Sequence, residues 1–264
     1  MNIHSLNTKK SLGQHWLQDK DILQGIVDSA EIKAGDNVLE IGPGLGTLTE
    51  VLLNTKAEIL SLEYDKDLIK GLERKFSNCK NFAIRFGDIR TFDFSKMPKN
   101  YKIVANIPYY LTSNLIRSIS DSDNQPSLAV LLVQKEVAQR LCAEPGQMGI
   151  LSVIAQYFFE CKLDIEVSAK YFTPPPKVDS QVVLLTRRSE PLFDVDTAEY
   201  FKLVKAGFSG KRKTLRNSLS SGLNIPKTKS IELLGNAGIE DNLRAQQLSH
   251  LQWHNLYREF LEYK

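Results

Sequence analysis

The chain has 264 residues, 42% of them hydrophobic and 25% charged, with 34 Lys and Arg against 31 Asp and Glu, hence a net charge of +3 and an isoelectric point near 8.6. This length suits one large domain, or a core domain with a small appendage, at the usual allowance of about 150 residues per domain. The composition excludes a low-complexity chain, and so small a charge permits a polyanionic partner without requiring one.

Cys79, Cys142 and Cys161 lie far apart with no Cys-x-x-Cys, and the four His are scattered. That pattern argues against a disulfide framework and against a metal site. The first ten residues are polar, and the apolar run 128–133 is too short to span a bilayer. A reduced, cytoplasmic protein without a membrane association is expected.

Short apolar runs alternate with amphipathic stretches through the first two-thirds of the chain, the pattern of a mostly parallel sheet covered by helices. Strands are predicted at 37–41, 58–62, 82–86, 101–105 and 128–133, and helices at 45–53, 66–75, 111–119 and 135–141. The rhythm then changes. Residues 152–159 read as a helix, while 162–167 and 181–186 are β-rich and flank Pro174-Pro175-Pro176, as late strands of the same sheet would. A loop-like segment follows Arg188, and helical patterning runs from about residue 196 to the end. The expectation is therefore an α/β domain over 1–188 and a small α-helical domain over 189–264.

Chemistry-bearing residues fall where strands end. Gly42-Pro43-Gly44-Leu45-Gly46 occupies the turn after the first strand of the α/β rhythm, where glycines let a ligand approach the backbone closely. A dinucleotide fingerprint would place its third glycine at Thr47, so a different ligand is favoured. Glu63 closes the next strand about 20 residues later, where an acidic side chain can accept from both hydroxyls of a ribose. Asp88 follows the third strand and Asn106 the fourth. Four strand ends thus present ligands along one sheet edge, an order that points to S-adenosylmethionine.

Asn106-Ile107-Pro108-Tyr109 combines an amide, a turn fixed by proline and an aromatic face. An enzyme that methylates the exocyclic amine of a base must extrude that base, grip its amino group with acceptors and stack on its ring. The Asn106 carboxamide oxygen and the Ile107 carbonyl can supply the grip, and Tyr109 or Tyr110 the stack. Farther on, residues 201–230 contain no acidic residue but carry Lys202, Lys205, Lys211, Arg212, Lys213, Arg216, Lys227 and Lys229. Solvated helix faces normally mix both signs, and one-sided charge suits phosphate contacts.

Taken together, the sequence resembles the small-subunit branch of the rRNA adenine dimethyltransferase family over nearly its whole length. The likeness lies in Leu12-Gly13-Gln14-His15-Trp16-Leu17, the glycine loop, Asn106 to Tyr109, Gln134-Lys135-Glu136-Val137, Phe172-Thr173-Pro174-Pro175-Pro176-Lys177-Val178-Asp179-Ser180, and Lys211-Arg212-Lys213-Thr214-Leu215-Arg216-Asn217-Ser218-Leu219. The resemblance implies a Rossmann-like class I S-adenosylmethionine-dependent methyltransferase domain with a small helical C-terminal domain. It implies dimethylation of two adjacent adenosines in a hairpin loop near the 3′ end of small-subunit rRNA, by a monomer acting on a ribosomal particle. It further implies that His15, Leu17, Gly42, Gly44, Glu63, Asp88 and Asn106 line the cofactor site, and that Asn106, Ile107 and Pro108 hold the target amine. Tyr109 and Phe172 would cover the base faces, and Lys211, Arg212, Lys213 and Arg216 would bind RNA. The family often has Asn-Phe-Leu where this chain has His15-Trp16-Leu17; a ring nitrogen of His15 retains hydrogen-bonding ability. Three rivals share features with this reading: the large-subunit branch of the family, a non-catalytic RNA-binding protein on the same fold, and a DNA adenine methylase.

Overall fold

The computed structural model describes residues 14–210 and 212–263. The chain divides into two units, Met1–Ala138 with Glu160–Arg187, and Gln139–Phe159 with Arg188–Lys264.

The first unit is built on a sheet whose strands, in chain order, are β2 (Asn37–Ile41), β3 (Glu58–Glu63), β4 (Phe82–Phe86), β5 (Lys102–Asn106), β6 (Leu128–Gln134), β7 (Phe159–Val167) and β9 (Ser180–Arg187), with spatial order β4-β3-β2-β5-β6-β9-β7. A separate two-residue ribbon pairs β1 (Trp16–Leu17) with β8 (Phe172–Thr173), antiparallel. Strands β2 to β6 are parallel, and β9 runs antiparallel to β6, from Leu128 opposite Thr186 to Gln134 opposite Ser180. Central strands need apolar residues on both faces, and Ala129 to Val133 of β6 are fully buried. Edge strand β4 alternates between half-buried and exposed residues.

Helices α1 (Lys20–Ser29), α2 (Thr47–Leu53), α3 (Lys66–Lys75) and α4 (Thr112–Ser120) belong to this unit, and α5 (Lys135–Leu141) follows β6. Leu23, Ile26 and Val27 of α1 join Leu48 and Leu52 of α2 and Val38 of β2 in one core cluster. The chain winds from β2 outward to β3 and β4, then returns to place β5 on the other side of β2. Such a reversal opens a crevice at the carboxyl ends of the two central strands, here between the turn after β2 and the end of β5.

The second unit contains α6 (Ile150–Phe158), α7 (Thr197–Gly207), α8 (Leu215–Leu223), α9 (Lys227–Asn236) and α10 (His250–Tyr263). Val153, Ile154 and Tyr157 of α6 pack with Tyr200 of α7, Leu219 of α8 and Trp253 of α10. A single break between 188 and 189 therefore does not describe the packing, because residues 139–159 belong to the helical unit. Helix α6 is apolar on nearly every side and so needs partners all round. Helices α7 and α8 meet at Gly222, where a Cβ would come within 2.6 Å of the Ala206 Cα.

Several predicted boundaries shift for local reasons. The helix expected from residue 45 starts at Thr47, because Gly46 is left-handed at φ 74°. The helix expected to reach 159 stops at Phe158, since Phe159 is extended and opens β7. Helix α1, capped by the Asp19 carboxylate accepting from Ile22 N, was not predicted.

Candidate active site

The glycine loop after β2 is left-handed at three positions, with φ of 69° at Gly42, 57° at Gly44 and 74° at Gly46, a region that residues with a Cβ avoid. Gly42 N donates to the Leu62 carbonyl at 2.9 Å, fixing the loop to the end of β3. Lys75 of α3 donates to the Leu45 carbonyl at 3.1 Å and pairs with Glu50 at 2.9 Å, holding the loop from outside. A Cβ at Gly44 would lie 3.4 Å from the Trp16 indole, so only a glycine leaves that space open.

Glu63, 6% exposed, is held by backbone at both carboxylate oxygens. Oε1 accepts from Asp65 N at 2.7 Å and Oε2 from Gly44 N at 3.2 Å. Burial pushes its pKa up, opposed by these backbone donors. Beneath the loop, Glu40 is fully buried, and its Oε2 accepts from Ser61 Oγ at 2.6 Å and Thr49 Oγ1 at 2.7 Å. Its Oε1 has no partner among the described residues. Burial raises the Glu40 pKa to about 7, against the two hydroxyl hydrogen bonds.

Asp88 caps a 3-10 turn, Ile89–Thr91, by accepting from Arg90 N at 2.9 Å. The Arg90 guanidinium also grips both Asp88 oxygens, through Nε at 3.0 and 2.9 Å and through Nη2. This grip holds the Asp88 carboxyl below its usual pKa.

Asn106 ends β5 and lies at the crevice opposite the glycine loop. The nearest atom to a Cβ placed on Gly42 would be the Asn106 backbone oxygen, 4.0 Å away. Asn106 Nδ2 donates to the His15 carbonyl at 3.5 Å, which leaves Oδ1 as an acceptor. Ile107 is buried, Pro108 turns the chain, and a 3-10 turn follows at Tyr109–Leu111. Tyr109 is half-buried with its hydroxyl 2.8 Å from Ser180 Oγ, whereas Tyr110 points outward and is 54% exposed. Tyr109 is therefore the inward ring of the two.

Residues 14–17 form a strap across these strand ends. Gln14 Nε2 donates to Asp65 Oδ2 at 3.2 Å, and Thr47 Oγ1 donates to the Leu17 carbonyl at 2.9 Å. The His15 ring stacks on Tyr109 with centroids 6.0 Å apart, and its Nδ1 donates to the Pro174 carbonyl at 2.7 Å. Its ring thus engages the tyrosine and the proline run, on the acceptor side of the crevice. Trp16 is 8% exposed, and its Nε1–H has no partner among the described residues.

All the sequence-predicted residues of the cofactor and amine sites line one cavity: His15, Leu17, Gly42, Gly44, Glu63, Asp88, Asn106, Ile107, Pro108, Tyr109 and Phe172. Phe172 departs from expectation in exposure. At 3% it is a core side chain packed with Leu17, because the β1–β8 ribbon draws it inward, so it offers the cavity a wall rather than a free face. Trp16 and Arg90 also line the cavity and were not singled out from sequence, although Trp16 lies within a quoted motif.

In the helical unit, Arg212 and Lys213 are exposed and form no ion pair among the described residues. Arg216 differs, since its Nη1 pairs with Asp241 Oδ2 at 2.7 Å. The absence of acids between 201 and 230 did not reveal a partner 25 positions on. Lys202 and Lys229 likewise face Glu199 and Glu232, at 3.9 and 2.8 Å. Lys211 lies outside the described residues.

The residues fit S-adenosylmethionine. A left-handed glycine cradle, an unpartnered indole N–H and an oriented carboxylate together offer open space, a donor and an acceptor. Among the described residues no group of three His, Cys, Asp or Glu could hold a metal, and no helix is long and apolar enough to cross a membrane.

Residues 5–262 match the family described as Ribosomal RNA adenine dimethylase. The chain is 38% identical over 266 residues to the Ribosomal RNA small subunit methyltransferase A of Dehalococcoides mccartyi, covering 99% of this chain and 91% of that protein. Among solved structures it is similar to a dimethyladenosine transferase from Plasmodium falciparum, with a TM-score of 0.81 and 29% identity over 94% of this chain and 98% of that one. It is also similar to the 23S rRNA methyltransferase ErmE, with a TM-score of 0.73 and 29% identity over 92% and 98% of the two chains.

Proposed function

This chain belongs to the ribosomal RNA adenine dimethylase family, and on that premise we propose that it dimethylates N6 of two adjacent adenosines in the 3′-terminal hairpin loop of small-subunit rRNA. The observation that carries the amine chemistry is the placement of Asn106 at the cavity, with its Nδ2 facing the His15 carbonyl at 3.5 Å and so directing Oδ1 the other way. Its Oδ1 and the Ile107 carbonyl are then two acceptors for the two hydrogens of an adenine amine. An amine so gripped can pyramidalise and turn its lone pair toward the methyl donor.

S-adenosylmethionine supplies a methyl group already activated on a sulfonium. Glu63 accepts from the ribose, Asp88 serves the adenine end of the cofactor, and Gly42 and Gly44 give backbone access. With so good a leaving group, positioning can supply much of the acceleration. Neither a strong base nor a metal is needed, since the methylated amine loses its proton readily to solvent. Tyr109 stacks on the target base, and Phe172 supports the pocket from behind.

Arg212 and Lys213, with Lys211, contact phosphates, so that folded rRNA is held largely by shape. Arg216 supports that segment through Asp241 instead of touching RNA. The protein acts as a cytoplasmic monomer on a small-subunit ribosomal particle and contributes to its assembly.

The likeness to ErmE favours a second reading, methylation of large-subunit rRNA. Incubation with labelled cofactor and both undermethylated subunits separates the two. Label confined to small-subunit rRNA is expected; label on large-subunit rRNA alone selects the second reading.

A further inference from the structure

Of the buried side-chain polar atoms without a hydrogen-bond partner among the described residues, one belongs to a residue lining the cavity: Trp16 Nε1. A buried donor with no acceptor is uncommon in a folded protein and asks for a reason. The backbone around the indole is fixed from two sides. Trp16 lies opposite Thr173 in the β1–β8 ribbon, and the next residue, Leu17, accepts from Thr47 Oγ1 at 2.9 Å. The Nε1–Cδ1 edge of the ring faces Gly44, with both atoms 3.4 Å from the point where a Cβ on that glycine would stand. Beyond the glycine's own neighbours in the chain, the next atom to that point is the Gly42 carbonyl oxygen at 4.0 Å. The N–H therefore borders the space that the left-handed glycine leaves open.

The other nitrogen-bearing side chains of the cavity each have a protein acceptor. Gln14 Nε2 donates to Asp65 and His15 Nδ1 to the Pro174 carbonyl, while Asn106 Nδ2 faces the His15 carbonyl and the Arg90 guanidinium grips Asp88. The backbone N–H of Gly44 is likewise directed at Glu63. An acceptor on a ligand in this part of the cavity thus finds the indole N–H uncommitted.

Strand order decides which part of the cofactor meets that N–H. Strands β4, β3, β2 and β5 are consecutive in the sheet, so Asp88, Glu63, the glycine loop and Asn106 follow one another along its carboxyl edge. With the adenine end at Asp88 and the ribose at Glu63, the methionyl end reaches the glycine loop and Trp16. That end carries an ammonium, which can only donate, and a carboxylate, which can only accept. We propose that Trp16 Nε1 donates to the carboxylate of S-adenosylmethionine, which makes Trp16 a binding residue for the amino-acid end of the cofactor. This contact rests on the cofactor orientation proposed for Glu63 and Asp88. Hydrogen bonds to a charged acceptor are among the stronger ones, and this one pairs the indole N–H.

The test uses the full chain and compares S-adenosylhomocysteine with its decarboxylated analogue, which keeps the adenine, ribose, thioether and amine. By calorimetry, Trp16→Phe should weaken S-adenosylhomocysteine binding roughly 10- to 100-fold, the range for a hydrogen bond to a charged group, and leave affinity for the analogue unchanged. The wild-type chain gives a readout that needs no substitution to fold. It has two tryptophans, Trp16 and Trp253, hence two indole N–H signals in a proton–nitrogen NMR spectrum. Saturating S-adenosylhomocysteine should move the Trp16 proton downfield, and the analogue should leave it near its free position. Trp253, in the core of the helical unit, should respond to neither ligand. The same Trp16 shift with both ligands, an equal loss of affinity for both in Trp16→Phe, or an unchanged affinity for S-adenosylhomocysteine in that variant overturns the carboxylate contact and leaves the rest of the site standing. Glu63→Gln should weaken binding of both ligands. Wild-type affinity for both in that variant instead overturns the cofactor orientation, and the contact with it.

Discussion

Asn106 Nδ2 donates to the backbone carbonyl of His15, 3.5 Å away and 91 positions earlier in the chain. The contact decides which end of the carboxamide faces the cleft, since a carbonyl can only accept. It also makes the strap at residues 14–17 part of the acceptor site, because the His15 ring packs on Tyr109.

If that oxygen grips the amine, Asn106→Ala should lower kcat by roughly 100- to 1,000-fold, the effect of removing a donor or acceptor aimed at a reacting group. Affinity for S-adenosylhomocysteine, read by calorimetry, should change little. Asn106→Asp keeps an acceptor but loses the bond to His15, and should retain more activity than the alanine variant. Wild-type turnover in Asn106→Ala contradicts the role.

Glu63 is held by Asp65 N and Gly44 N so that its remaining lone pairs face the cleft. A hydrogen bond to a charged group contributes about 1.5–3 kcal/mol, so Glu63→Gln should weaken cofactor binding roughly 10- to 100-fold. Because burial raises the Glu63 pKa, wild-type cofactor affinity should begin to fall, as pH is lowered, above the ordinary carboxylate range. The glutamine variant should lack that fall.

Glu40 gives a stability signature of opposite sense. Its pKa is about 7 folded, against an ordinary 4.5. Between those values the unfolded chain has released a proton that the folded chain retains. Stability should therefore decline as pH rises from 4.5 toward 7, by up to ~1.4 kcal/mol per pH unit from this group. Below 4.5 the group contributes no slope. Glu40→Gln mimics the protonated carboxyl and should remove this contribution, measured as urea unfolding midpoints at pH 5 and pH 7 for both proteins.

Arg212 and Lys213 should behave unlike Arg216. Replacing the first two with Ala should lower the slope of log K against log salt for rRNA binding by about 1.5, near 0.7–0.9 for each lost phosphate contact. Arg216→Ala, which breaks the pair with Asp241, should leave that slope unchanged and cost about 0–1 kcal/mol of stability, as partly exposed pairs do.

The strand-end residues were legible because parallel central strands are continuous apolar runs, and a ligand residue must follow where each run stops. Strands β2 and β4 and helices α3 and α5 match the predicted spans. The β1–β8 ribbon was not legible, because two paired residues leave no periodicity and their register depends on tertiary contacts. That ribbon buries Phe172, so the family likeness located the residue without revealing its exposure. Helix α1 did leave a signal, the Asp19 cap followed by Leu23, Ile26 and Val27 at helical spacing. The Arg216–Asp241 pair and the transfer of residues 139–159 to the helical unit depend on contacts between distant segments, which local pattern does not encode.

The most direct measurement is nucleoside mass spectrometry of small-subunit rRNA after incubation of undermethylated small subunits with the protein and S-adenosylmethionine. Two N6,N6-dimethyladenosines per subunit, in one loop fragment and at adjacent positions, are predicted. Monomethyladenosine as the end product, dimethyladenosine elsewhere in the rRNA, or no modified adenosine would contradict the account.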